Sequence, residues 1–457
     1  MSDLSAIFKA YDVRGVVPDQ LDEDIARRTG AAFVAVTGVS ERGGAVVVGR
    51  DMRPSSAPLA AAFAGGVTAS GVDVVDIGLA STDQLYFASG HLDVPGAMFT
   101  ASHNPARYNG IKLCRAGAAP VGQQSGLDEI QARVESSVES GVEPALPGRP
   151  GRVESRDLLG EYAAHLHSLV PVSGRRLRVV VDAGNGMGGH TVPAVFDDLD
   201  VELVPLFFEL DGNFPNHEAN PIEAENLRDL QRAVREHAAD VGLAFDGDAD
   251  RCFVVDERAQ IVPPSALTAL IAVRELDREP GSTIIYNLIT SRAVPEIVRA
   301  HGGTPQRTRV GHSFIKATMA ETEAIFGGEH SGHFYFRDFW RADSGMLAAL
   351  HTMAALAGSD RSLSQLLADF SPYSGSGEIN TRVDDQAGVV ARVEQEYAAQ
   401  HGVSVDHLDG LTVEHADWWF NVRASNTEPL LRLNVEGCDE PTMARVRDRV
   451  LSLVRST

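Results

Sequence analysis

Cysteine is scarce in this 457-residue chain: Cys114, Cys252 and Cys438 are odd in number and far apart, which argues against a disulfide framework or a thiolate metal site. Basic residues are short relative to acidic ones, 40 against 63, for a formal charge of −23. That balance argues against broad affinity for nucleic acid or anionic membrane, since both need a wide basic face. It leaves room for one small phosphorylated ligand held by local Arg, Lys and backbone N–H groups. No apolar run approaches the ~18 to 20 residues of a membrane span. The start, "MSDLSAIFKAYDVRG", lacks both the basic opening and the apolar core of a secretory signal, so a cytoplasmic protein is expected. What remains, 44% apolar and 23% charged residues, is ordinary for a soluble globular chain several domains long.

Short β-branched runs alternate with helical patterns from the start. "AVVVGRD" at 45–51 and "VDVVDIG" at 72–78 are followed by "GAMFTASHNPARYNGIK" at 96–112, the rhythm of an α/β layer. After a helical pattern on Leu127, Ile130, Val134 and Val138, the Pro- and Gly-rich stretch 139–157 reads as a linker. A second α/β unit contains "LRVVVDAGNGMGG" at 177–189, a helix with Leu227, Leu230, Val234 and Ala238 on one face, and "VGLAFDGDADRCFVVDE" at 241–257. A third carries the strand "STIIYNL" at 282–288. "SPYSGSGE" at 371–378 reads as another linker before a small α+β domain. The partition is 1–150, 151–258, 259–370 and 371–457, and three successive α/β units suggest triplication.

Four clusters are chemically suggestive. In "TASHNP", Thr100, Ser102, His103 and Asn104 crowd one loop that Pro105 ends, more polar groups than a turn needs. In "DGDAD", Asp246, Asp248 and Asp250 alternate just after a buried strand, so their carboxylates can converge on a hard cation such as Mg²⁺ together with a substrate phosphate oxygen. An EF-hand is a poor alternative, although Glu257 is twelfth from Asp246: Arg251 stands where the calcium loop needs Gly, and 252–255 read as a strand. In "VRASNTEP", Arg423, Ser425, Asn426 and Thr427 suit the oxygens of a phosphate monoester; a plain Asx or Ser turn is the alternative. In "GGEHSGHFYF", Glu329, Ser331 and His333 alternate and can face vicinal sugar hydroxyls. His312, His330 and His333 also raise zinc, but no pair has the i, i+4 spacing of a helical zinc motif. Finally, Gly184, Gly186 and Gly189 satisfy G-x-G-x-x-G after a strand, with Asp200 and Glu202 downstream. This keeps an NAD-binding oxidoreductase open as a rival, and a non-catalytic sugar-phosphate binder is another.

Taken in order, "FKAYDVRG", "VGRDMRPSS", "TASHNPARYNGIK", "DAGNG", "DGDADR", "VGHSFIK", "GGEHSGHFYF" and "RASNTEP" resemble the α-D-phosphohexomutase family, specifically its phosphomannomutase/phosphoglucomutase branch. The likeness runs along essentially the whole chain. It implies an α/β fold of three related α/β domains with mixed sheets around a central cleft, plus a C-terminal α+β domain.

The resemblance also implies an isomerase that interconverts mannose or glucose 1- and 6-phosphates through a hexose 1,6-bisphosphate that reorients in the cleft. Ser102 matches the phosphoserine. Ser102, Asp246, Asp248 and Asp250 match the Mg²⁺ site. Lys112 and His103 match groups that assist proton transfer, and Arg251 matches a contact to the ligand or transferring group. Tyr11 and Arg14 match active-site residues of the first domain, Glu329 and Ser331 the sugar-hydroxyl contacts, and His312 and His333 further cleft residues. Arg423, Ser425, Asn426 and Thr427 match the phosphate clamp. "GEHSGH" differs from the glutamine-bearing form expected of glucosamine-phosphate mutases. Ile289 stands where relatives often carry a lysine that reaches the ligand, and Arg292 is a candidate to compensate for it.

Overall fold

The computed structural model describes residues 4–141, 149–424 and 430–455, apart from the side chains of Arg42, His312 and Ser313. They form two compact units: one runs up to Val262 and includes Ser331–Ser364, the other joins Pro263–His330 to the chain from Gln365 onward.

In the first unit a mixed sheet is built on Ala45–Arg50, which pairs in parallel with Asp73–Leu79 and with Gly96–Phe99. Gly96–Phe99 then pairs antiparallel with Tyr108–Arg115, and that strand with Val13–Val16. Val46, Val47 and Val48 are buried, as expected of a central strand covered on both faces. The helix Glu23–Thr37 starts at Asp22, whose carboxylate caps the Ile25 N–H, and ends at Gly38 with φ 65°, a left-handed stop that glycine adopts without strain. It crosses Ser56–Ala69 so closely that a Cβ on Gly66 would lie 1.9 Å from the Arg27 carbonyl oxygen.

The second sheet of this unit runs Cys252–Asp256, Val241–Phe245, Leu177–Asp182, Val201–Leu206. The first pairing is antiparallel and the others parallel. Leu227, Leu230 and Val234 are buried against it, while Ala238 lies beyond the helix Arg228–Glu236. Phe334–Phe336 and Ala342–Asp343 form a short antiparallel pair ahead of the helix Gly345–Ala357.

In the second unit, Thr283–Asn287 pairs in parallel with Thr304–Thr308 and Phe326–Gly328. An antiparallel sheet of Ser374–Arg382, Leu430–Gly437, Trp418–Ala424, Leu411–Glu414 and Ser404–Asp406 carries the helices Gln386–Ala398 and Glu440–Arg455, with Val393, Tyr397, Phe420 and Val450 in its core. The architecture is α/β with mixed sheets and a distinct C-terminal α+β portion. Among the described residues no helix is long and apolar enough to cross a membrane.

Both stretches read as linkers contain strand. Val153–Ser155 adds to the first sheet beside Val74–Asp76. Ser374–Arg382 pairs with Leu430–Gly437 through a bulge between Gly375 and Glu378. Both strands lie at sheet edges, where small, polar and Gly-rich sequence is tolerated, so composition imitated a loop.

Candidate active site

Two loops at the ends of strands meet in the first unit. Gly96–Phe99 leads into the loop carrying Ser102, and Val241–Phe245 ends at Asp246. Ser102 has φ 48°, and its N–H donates to Thr100 Oγ1 at 2.9 Å. Its hydroxyl donates to Asp246 Oδ2 at 2.7 Å across 144 residues. The approach requires Gly247, because a Cβ there would lie 2.4 Å from the Ser102 carbonyl oxygen.

Asp246, Asp248 and Asp250 are each at most 1% exposed and offer carboxylate oxygens within 4.8 Å of one another. Asp246 accepts from the Arg251 backbone N–H at 3.1 Å and from its Nε at 2.9 Å. Asp248 Oδ2 accepts from Thr82 Oγ1 at 2.6 Å and from Lys112 Nζ at 2.7 Å, and Asp250 Oδ2 accepts from Lys112 at 2.6 Å. Asp248 Oδ1 and Asp250 Oδ1 are buried without a hydrogen-bond partner among the described residues. Two orphaned carboxylate oxygens in a set of three buried aspartates fit a hard divalent cation, since uncompensated burial of such oxygens is costly.

Electrostatics sort the groups. Burial pushes the Asp246 carboxyl up to about 7, with Asp250 and Asp248 adding to the rise and Arg251 opposing it. Burial works to raise the Asp248 carboxyl, but Lys112, the Thr82 hydroxyl and Arg251 together hold it well below the usual range. Lys112 in turn is held well above its ordinary value by Asp248 and Asp250, in spite of burial. Lys9, Lys112 and Lys316 are the chain's lysines, all other side-chain cations of fixed charge being arginine. An ammonium, which unlike a guanidinium can give up its proton, is thus kept where two carboxylates converge.

His103 is driven well below its usual pKa by burial, then by Arg251 and Arg14, so the ring is neutral. Arg251 donates from Nη2 to His103 Nδ1 at 2.6 Å. Because guanidinium only donates, Nδ1 is the acceptor nitrogen and Nε2 carries the proton. Ser102 Oγ is 3.1 Å from the same Nδ1, but that lone pair already faces Arg251, and the serine proton goes to Asp246.

Around this centre, Arg14 bonds Asn104 Oδ1 at 2.7 Å and pairs with Asp12, so the strand Val13–Val16 braces the Ser102 loop. Tyr11, half-buried, precedes that strand. Ser331 and His333 flank Gly332, whose φ of 84° and tight packing on Phe253 set the turn. His333 donates from Nδ1 to Asp343 Oδ2 at 2.9 Å and lies 3.9 Å from Asp250 Oδ1; Asp250 and then Asp343 raise its pKa against burial.

In the second unit, Glu329 is buried and accepts from the Gly311 N–H at 3.1 Å and from Asn287 Nδ2 at 3.4 Å. Arg423 faces Glu378 at 3.3 Å. His312 begins the helix His312–Thr322, but its side chain and Ser425, Asn426 and Thr427 lie outside the described residues.

Ile289 is buried. Arg292 does not compensate for it: its guanidinium donates to the carbonyls of Ala416 at 2.7 Å, His415 at 2.9 Å and Trp418 at 3.1 Å. It staples the 415–418 turn instead.

The rival readings lose their support here. Glu257 bonds Ser364 and Cys252–Asp256 is a paired strand, so there is no calcium loop. Among the described residues neither potential metal grouping, Asp246 with Asp248 and Asp250 or Asp250 with His333 and Asp343, is a histidine set. The glycine motif serves packing. A Cβ on Gly186 would lie 2.7 Å from the Gly247 carbonyl, one on Gly189 2.2 Å from that of Phe208, and Met187 N–H donates to Gly247 O at 2.9 Å. The motif buttresses the acidic loop. Thr82, which grips Asp248, and Asp343, which orients His333, had no sequence signal of their own, since both partnerships are long-range or hairpin-specific.

Residues 5–140, 160–259 and 263–373 match the phosphoglucomutase/phosphomannomutase alpha/beta/alpha domains I, II and III, and residues 378–453 match the C-terminal domain of the same family. The chain is 41% identical over 460 residues to a phosphomannomutase of Escherichia coli, covering 98% of this chain and 99% of that protein. It is 42% identical over 449 residues to a protein named phosphohexose mutases from Xanthomonas campestris pv. campestris (strain B100), covering 97% and 98%. A solved phosphoglucomutase/phosphomannomutase family protein from Burkholderia thailandensis superposes with a TM-score of 0.88 at 36% identity over 100% of this chain and 98% of that one. With a serine and three aspartates gathered from two strand ends beside a lysine of the strand Tyr108–Arg115, and with all four parts of the family matched along its length, the chain belongs to the phosphoglucomutase/phosphomannomutase family of isomerases.

Proposed function

We propose that this chain interconverts hexose 1-phosphate and hexose 6-phosphate, with Ser102 carrying the phosphoryl group and a hexose 1,6-bisphosphate as the intermediate. The observation that carries the reading is the Ser102 hydroxyl 2.7 Å from Asp246 beside two further buried aspartates. Relatives of about 40% identity named phosphomannomutase make mannose phosphates the first substrates to assay, and glucose phosphates the second.

In the first transfer, the P–O bond to Ser102 breaks as one forms to the free sugar hydroxyl, whose proton passes to a nearby base. In the second, the other phosphate of the bisphosphate returns to Ser102 and the sugar hydroxyl is reprotonated. Asp246, Asp248 and Asp250, with an oxygen on Ser102, would hold Mg²⁺, which would offset charge on the moving phosphoryl and draw carboxylate charge away from Lys112. Lys112 would exchange the proton; its Nζ beside Asp248 and Asp250 supports that role. Arg251 fixes His103 in one tautomer and presents a cation at Ser102, its Nη2 3.5 Å from Oγ. Tyr11, Arg14, Ser331 and His333 are assigned to ligand contact in the first unit; Glu329, Arg423, His312, Ser425, Asn426 and Thr427 are assigned to it in the second.

Ser102→Ala tests the reading. Turnover of mannose 1-phosphate should vanish while sugar-phosphate binding by calorimetry persists, and the intact mass of wild type should carry a phosphoryl increment removable with substrate. Unaltered turnover in the variant would sink it.

A further inference from the structure

The phosphoryl carrier sits on a loop whose carbonyls point inward, and one buried arginine collects them. Arg53 follows the strand Ala45–Arg50 and its side chain is fully buried, unusual for arginine. A guanidinium has five N–H donors, and Arg53 uses them all. Nε bonds Asp51 Oδ2 at 3.1 Å. Nη1 bonds the carbonyls of Pro105 and Tyr108, each at 3.0 Å. Nη2 bonds those of Ser102 and Asn104, each at 2.7 Å. Four carbonyls from a seven-residue span therefore converge on one cation; that of Pro105 also accepts from the Tyr108 N–H at 3.0 Å, whereas the bond to the Ser102 carbonyl is buried, where loss of the donor would be costly.

The cage is closed from outside as well. Asp51 supplies the countercharge and also accepts from the Arg53 N–H at 3.0 Å and from Ser56. The Phe214 ring centroid lies 5.1 Å from the guanidinium carbon, and a Cβ on Gly212 would come within 2.5 Å of Arg53 Cα. On its other side the Ser102 carbonyl meets Gly247 of the acidic loop. The carbonyl of a left-handed serine is thus held between Arg53 and the metal-binding turn while its Oγ faces Asp246.

We propose that Arg53 is the positioning residue of the phosphoryl carrier: its planar fork sets the Ser102 loop so that Oγ stands in line with the aspartates. The inference rests on Ser102 being the carrier. It makes no claim that Arg53 touches ligand. A purely structural arginine would, on substitution, lower stability and leave the kcat of the folded protein intact. A positioning arginine lowers kcat, because displacement of a reacting atom by about 1 Å costs on the order of 100-fold.

The test compares Arg53→Lys, Asp51→Asn and Ser102→Ala with wild type in kcat, KM, melting temperature and intact mass. Lysine keeps the charge but cannot span four carbonyls in a plane. Arg53→Lys is expected to lose kcat about 100-fold with KM within about threefold; turnover within threefold of wild type overturns the inference. Should Arg53→Lys fail to fold, Asp51→Asn decides. It keeps the arginine and removes its anchor, and a kcat loss of about tenfold is expected, whereas an unchanged kcat overturns the inference. If Ser102→Ala retains turnover the carrier reading itself fails; if Ser102→Ala is inactive and Arg53→Lys is not, only the role of Arg53 fails.

Discussion

The Thr82 hydroxyl donates to Asp248 Oδ2 at 2.6 Å across 166 residues of sequence, and the Thr82 N–H donates to the Asp248 carbonyl at 2.9 Å. One threonine thus fixes both the backbone and the carboxylate of a candidate metal ligand, leaving Oδ1 as the free oxygen. Thr82→Val removes the hydroxyl at constant shape. The Mg²⁺ concentration for half-maximal mutase activity should rise about tenfold, as for other residues that orient a metal ligand, and Thr82→Ser should restore it. Titration of chelator-treated enzyme with Mg²⁺ reads the effect; an unshifted curve refutes it.

Lys112 lies between two carboxylates with side chains at most 1% exposed. If it exchanges a proton with the sugar hydroxyl, Lys112→Arg should fare nearly as badly as Lys112→Met, each losing about 100-fold or more in kcat. Arginine holds the charge but not the labile proton. Steady-state kinetics beside calorimetric binding of the sugar phosphate check this, and near-normal turnover by Lys112→Arg would reduce the residue to a charge partner.

Asp83 is buried under the hydroxyls of Ser81, Ser344 and Tyr162, and burial pushes its carboxyl up to about 6. Between the ordinary carboxyl pKa near 3.8 and that value the folded state binds more protons than the unfolded state, so the stability contribution falls as pH rises through the window. Asp83→Asn has no such group. The stability difference between wild type and variant should therefore shift against wild type by about 2 kcal/mol from pH 4 to pH 6. Urea unfolding of both proteins at several pH values measures it, and a pH-independent difference contradicts it.

Gly66 permits the close crossing of Glu23–Thr37 and Ser56–Ala69, since a Cβ would lie 1.9 Å from the Arg27 carbonyl oxygen. The clash is with backbone, so the helices must separate. Gly66→Ala should lower stability by about 1–3 kcal/mol while leaving the kcat of the folded enzyme near wild type, as thermal melts and active-site titration would show.

Much of the site was legible because its groups sit on local sequence patterns. The run Val241–Phe245 reads as a strand, and alternation puts Asp246, Asp248 and Asp250 on one turn at its end. The polar surplus on Thr100 to Asn104 likewise marks a loop that does more than turn. Where local pattern was ambiguous, edge strands at Val153–Ser155 and Ser374–Arg382 look like linkers, and Gly184 to Gly189 left a nucleotide loop open as a rival to a plain tight turn until packing against Gly247 decided. Arg292 shows the same limit, because its carbonyl partners at 415–418 are more than 120 residues away.

The amino-acid sequence by itself determined the α/β rhythm, the loops that carry the reactive groups and the chemical type of each group, since strand periodicity and turn chemistry are properties of neighbouring residues. Tertiary structure alone decided which groups meet. Two sheets of the first unit bring their strand-end loops together, so Ser102 and Lys112 of one find Asp246, Asp248 and Asp250 of the other, and Thr82 fixes the ligand that Lys112 shares. The carbonyl cage around Arg53 exists only in the folded chain, because a buried cation is stable there only where many oxygens converge on it.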